Sequence, residues 1–138
     1  MTAERLLFWL VRWNAGVILL AAPCVLLPFE WMDAIHRDLL GFGTLPDLPI
    51  TNYLARSLCL AYALHGAFIL SLTFDWVRYR PFIPTLARLH LVFGGAMMLL
   101  DWFTPMPWWW LIGEGPTIIA FAVLILAVNQ RASRSGEC

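Results

Sequence analysis

Residues 84–128 read PTLARLHLVFGGAMMLLDWFTPMPWWWLIGEGPTIIAFAVLILAV. Two apolar runs, 84–103 and 108–128, are separated only by TPMP. Crossing ~30 Å of hydrocarbon takes roughly 20 helical residues, and each run has that length. So short a connection makes the two spans antiparallel neighbours.

Two further runs of the same kind, 6–27 and 51–74, lie upstream. The four together account for most of the 138 residues. The hydrophobic fraction of 61% and charged fraction of 13% lie far from the ~45–50% and ~25% of soluble chains. The predicted fold is therefore all-α: one integral membrane domain, a four-helix bundle over residues 1–138. A lipoprotein signal is the competing reading of LLAAPC at 19–24. Pro23 before the cysteine, and Arg12 and Asn14 within the apolar segment, favour a retained helix.

Orientation follows from arginine, since all nine basic residues are Arg. Arg5, Arg12, Arg78, Arg80, Arg88, Arg131 and Arg134 flank the start, the second loop and the tail. The first loop has Arg37 against Glu30, Asp33, Asp38 and Asp47, and the third has no base. The positive-inside rule then places both termini in the cytoplasm. The expected setting is a bacterial inner membrane, multi-pass, with lipid and other membrane subunits as partners. A net charge of zero gives no footprint for nucleic acid.

Between spans one and two, PFEWMDAIHRDLL (28–40) reads as a short amphipathic helix on the outer surface. Phe29, Met32, Ile35 and Leu39 form its apolar face. Thr51 or Asn52 is the expected cap of span two, and Pro84 suits the first turn of span three. Trp31, Trp102, Trp108, Trp109 and Trp110 form an outer aromatic belt, a surface for lipid or a partner; Trp9, Trp13 and Trp76 form an inner one.

Intramembrane ionisable groups cost about 2.5–3.5 kcal/mol at a helix centre, so each requires a partner. Arg56 lies about 7 Å below the start of span two, and Glu114 about 9 Å below Trp108 at 1.5 Å per residue. Asp101 is near the end of span three. These three form a predicted outer-side Arg/Asp/Glu cluster, with Arg56 pairing Glu114. Gly113, Gly115 and Pro116 weaken helical continuity, so span four is expected to begin at Pro116, with Glu114 near its N-terminal cap. His90, Gly94, Met97 and Asp101 share one stripe of span three, expected to face the interior. Arg5, Trp9, Arg12 and Gly16 make a similar stripe on span one.

His65 and His90 are the remaining ligand-binding candidates, since two facing imidazoles are the b-type haem arrangement; a hydrogen-bonded pair, or one His contacting Asn14 or Arg12, is the preferred reading of them. No catalytic motif, metal-binding spacing or C-x-x-C occurs. Cys24 and Cys59 read as small packing residues; Cys138 ends the chain.

ARSLCLAYALHGAF in span two, DWVRYRP after it, and Gly94–Gly95 in span three resemble the DoxX-like group of small four-helix membrane proteins. That resemblance covers residues 51–103 and implies a quinone-linked thiol- or sulfur-oxidising setting, with such chains acting as partner subunits. Two functions stand at this point. The preferred one is a non-catalytic accessory subunit or scaffold without a cofactor. The alternative is a redox-linked protein binding quinone, or haem b, at the polar residues named above.

Overall fold

The computed structural model describes residues 2–134 and 136; Cys138 lies outside them. Four long helices are apolar enough to cross a membrane, as the hydropathy pattern predicts. They are α1 (Ala3–Leu19), α3 (Pro49–Leu72), α5 (Ile83–Phe103) and α6 (Trp108–Arg134), with short helices α2 (Phe29–Ala34) and α4 (Trp76–Tyr79) between them. The chain forms two compact units: Met1–Val11 with Leu72–Cys138, and Arg12–Ser71.

In the first unit, α5 and α6 form the antiparallel hairpin that TPMP requires. Ala87, Gly94 and Asp101 are buried on α5, and Gly115, Ala122, Ile125 and Ala132 on α6. Their spacings of three and seven keep one seam facing its neighbour, as in left-handed helix pairs. The seam is tightest where two glycines meet. A Cβ on Gly94 would stand 3.1 Å from the Gly115 carbonyl oxygen, and one on Gly115 2.9 Å from that of Gly94. Backbone therefore meets backbone, the contact that small residues permit between helices in lipid.

This packing overturns the expected start of span four. Helix α6 begins at Trp108 and runs through Gly113, Glu114, Gly115 and Pro116 without a break. Pro116 withholds an N–H from the Ile112 carbonyl, and an interior proline costs about 3 kcal/mol. The glycine crossing and the seam beyond it hold the helix together across that defect. Helix α5 starts as predicted, with Pro84 in its first turn.

In the second unit, the α-helical part of span one stops at Leu19, and a 3-10 turn follows over Ala22–Val25. Pro23 lies at the start of that turn, and its ring is incompatible with the preceding helix. Gly66 of α3 packs on α1, where a Cβ would approach the Leu19 nitrogen at 2.9 Å and the Ala15 carbonyl oxygen at 3.0 Å. Of the buried positions of α1, Leu7 and Val11 belong to the first unit and Ala15 to the second. The polar stripe of Arg5, Trp9, Arg12 and Gly16 is thus not the inward one; Arg5, Trp9 and Gly16 are exposed.

The short helix between the first two spans is present, and it continues as a π-helical turn over Ile35–Leu39. Met32 is buried, while Ile35 and Leu39 of the expected apolar face are exposed. The loop behind it is built around Asp33, whose Oδ1 accepts from the Leu45 amide at 2.6 Å. His36 Nδ1 and the Gly43 carbonyl are 2.6 Å apart. Gly41 and Gly43 adopt φ values of 68° and 86°, which only glycine takes readily.

Candidate functional site

Arg56 sits in the second turn of α3, and all of its observed partners lie in its own unit. Its Nε donates to Asn52 Oδ1 at 2.5 Å, Nη1 to the Val25 carbonyl at 2.5 Å, and Nη2 to the Leu27 carbonyl at 2.8 Å. The carbonyls past the end of a broken helix lack donors, and a low-dielectric surrounding makes that expensive. The planar guanidinium fork meets two of them at once. Asn52 does not cap α3, which starts three residues earlier at Pro49. It orients the arginine instead.

Glu114 has a partner within its own helix. Its Oε2 accepts from the Trp110 indole Nε1 at 2.6 Å, one turn back along α6. With α6 starting at Trp108, Glu114 belongs to the second turn and is no helix-start carboxylate. Each of the two residues thus has a local arrangement of its own: a guanidinium on backbone carbonyls in the second unit and a carboxylate on an indole in the first. Spacing alone could not reveal either, because the competing acceptors are main-chain groups and the competing donor is a ring already assigned to the belt.

Asp101 and Glu114 do come together, as electrostatic neighbours at the loop end of the α5–α6 hairpin. Asp101 is only 6% exposed, and its Oδ2 is buried without a hydrogen-bond partner. It shares the inward stripe with Gly94, as predicted. Trp109 and Trp110 stack edge to face at 5.7 Å. With Gly113 and Glu114 they line a shallow groove, while Trp31, Trp102 and Trp108 are exposed.

The two histidines fall in different units. His90 is half-buried on α5, its Nδ1 3.0 Å from the Leu86 carbonyl of its own helix. His65 is half-buried on α3. Among the described residues, no group of three or more His, Cys, Asp or Glu side chains is arranged to hold a metal ion.

Two constellations escaped the sequence reading. At the other end of the first unit, Glu4 Oε1 accepts from Trp76 Nε1 at 2.5 Å and from Arg80 Nε at 2.9 Å. Arg80 Nη1 reaches Asn129 Oδ1 at 2.5 Å, and Phe8 packs edge-on against Trp76 at 5.3 Å. This corner joins the first turn of α1, the turn before α5 and the last third of α6. Its side chains are largely covered, Arg80 at 13% and Glu4 at 20% exposure. Arg80 counted in the sequence only as an orienting charge, although Glu4 was available to pair with it.

The second joins the segment after Cys24 to the helix turn before Cys59: Arg56, three residues before Cys59, donates to the Val25 and Leu27 carbonyls, and both cysteines are free and of intermediate exposure.

Comparison with known proteins returns no match to a family model, to a curated protein or to a solved structure.

Proposed function

We propose that this small integral membrane protein acts as an accessory or scaffold subunit of a bacterial inner membrane, with both termini in the cytoplasm. The observation that carries this reading is the contrast between its polar and apolar groups. Arg56, Glu4, Arg80 and Glu114 spend their hydrogen bonds on neighbours in the same chain. The apolar helix surface is left uncovered: no more than 22% of any span's most apolar stretch is buried within the chain. Lipid alone can cover such a surface, but so can neighbouring membrane subunits, for which it has the right chemistry. The arginine distribution supports the orientation, and the resemblance to the DoxX-like group supports the partner-subunit role.

Extraction of the native membrane in mild detergent, followed by native electrophoresis and crosslinking, tests this. The expected result is a stoichiometric assembly larger than the chain with its detergent. A chain that runs alone after gentle extraction and crosslinks to nothing overturns the reading.

A second reading, a quinone- or redox-linked protein, is favoured by Asp101, whose buried Oδ2 lacks a donor beside Glu114. Quinone extraction and a visible absorption spectrum of the purified protein test it, since haem b or a stoichiometric quinone is detected directly. Glu114→Gln with unchanged respiratory growth, and neither cofactor present, disposes of it.

A further inference from the structure

Arg56 and Glu4 find their hydrogen-bond partners within the chain; Asn14 does not. It is the twelfth of the 23 residues in the apolar stretch Ala3–Val25, and so lies at its centre. At 1.5 Å per residue, about 17 Å of helix separates it from either end. A short amide cannot reach the interface from that depth, as a long arginine side chain can. Water is absent from the hydrocarbon, so a polar group there needs a partner supplied by protein. Among the described residues the Asn14 side chain makes no hydrogen bond, to a histidine or to any other group. It is half-buried. Val17, three residues on and therefore on the same face, is 48% exposed. The amide thus lies at the edge of helix surface that this chain leaves uncovered.

We propose that this face of α1 is the contact between two copies of the chain, whose Asn14 amides hydrogen-bond each other at the middle of the membrane. The occupant follows from chemistry and depth together. An asparagine amide has two donors on its nitrogen and an acceptor oxygen with two lone pairs, so it complements itself as a charged group cannot. Copies inserted with one orientation all carry Asn14 at the same depth. A two-fold axis along the membrane normal then brings the two amides level and makes the contact the same on both sides. A different subunit would have to supply a polar group matched in depth as well as in chemistry. Interhelical amide bonds direct association in lipid, where apolar surface alone gives helices no preference for one another. The exposed Val17 side chains pack beside the amides and exclude lipid from them. This inference rests on the subunit reading in one respect, that uncovered helix surface meets protein, and it names a second copy as the neighbour.

The test uses purified full-length protein in mild detergent, with Cys24→Ser and Cys59→Ser so that donor and acceptor dyes attach at Cys138. Energy transfer between mixed populations is followed as the protein-to-detergent ratio varies. Expected is transfer that rises linearly with acceptor fraction, as for a dimer. Asn14→Leu should weaken the association about three- to thirtyfold, the range of interhelical hydrogen bonds in membranes. Asn14→Gln keeps the amide and should retain most of it. In a chain with all three cysteines replaced by serine, Val17→Cys should crosslink to a dimer under mild oxidation. Gly16→Cys should do so several-fold more slowly, because it faces away from Asn14 and its Cβ meets nothing within 4 Å. No transfer at any ratio, association of Asn14→Leu as tight as that of the Asn14 chain, or equal crosslinking from the two positions overturns the proposal. The measurement on the Asn14 chain reads out even where a variant fails to fold. Its failure is separate from failure of the subunit reading, since a chain that is monomeric when isolated can still run in a larger assembly extracted from the native membrane.

Discussion

Replacing Gly115 by Ala tests the central claim about the α5–α6 hairpin. The added Cβ would lie 2.9 Å from the Gly94 carbonyl oxygen, 3.1 Å from the Met98 nitrogen, and against the Met98 side chain. A helix backbone cannot give way locally, so the helices must separate and lose seam contacts. Overpacking of this kind costs about 1–3 kcal/mol. Gly113→Ala is the matched control, because its Cβ would meet nothing within 4 Å on the same helix. Both substitutions gain the same ~0.5–1 kcal/mol of helix propensity, so it cancels in the comparison. The difference should equal the clash, or roughly 5- to 150-fold in the folding equilibrium constant. Unfolding in mixed micelles of rising SDS fraction, followed by tryptophan fluorescence, measures it. If the two variants agree within about 0.5 kcal/mol, the ordinary scatter of a surface change, the backbone-to-backbone crossing is refuted. Gly94→Ala should cost less than Gly115→Ala, because its Cβ would meet one backbone atom, the Gly115 carbonyl oxygen at 3.1 Å, where that of Gly115 meets two at 2.9 and 3.1 Å.

Glu4→Gln should destabilise the first unit by about 1–3 kcal/mol, below the ~3–5 of a fully buried pair, since its partners retain some exposure. Glu4→Gln combined with Arg80→Gln should recover part of the loss, and strict additivity of the two in the same unfolding assay would count against the pairing. Arg56→Met leaves the Val25 and Leu27 carbonyls without their donor, so limited proteolysis should cut residues 25–48 faster than in wild type; an unchanged cleavage pattern contradicts the clamp. The Asp38 carboxyl, hydrogen-bonded and ion-paired to Arg37, titrates below the ordinary 3.8. Its pairing contribution is therefore present above the unfolded-state value and lost as pH falls through the lower folded-state one. Carbon NMR should find the Asp38 titration low, and returned to the ordinary range in Arg37→Gln.

Hydrophobic runs of membrane length, separated by turn residues and flanked by arginine, are local properties. That is why the four apolar helices, the α5–α6 hairpin and the short helix after span one were legible in the sequence alone. The inward stripe of α5 was legible too, through the seven-residue spacing of Gly94 and Asp101. Tertiary structure decided what local rules could not. The seam with α5 carried α6 straight through Gly-Glu-Gly-Pro, against the breaking tendency of Pro116. Arg56 and Glu114 took a pair of carbonyls and an indole as partners, because satisfying a polar group in a low-dielectric setting depends on whichever donor or acceptor lies nearest in space. For the same reason Glu4 found Arg80. Burial penalises any unpaired group, whereas spacing along the chain says only which residues lie on the same side of one helix.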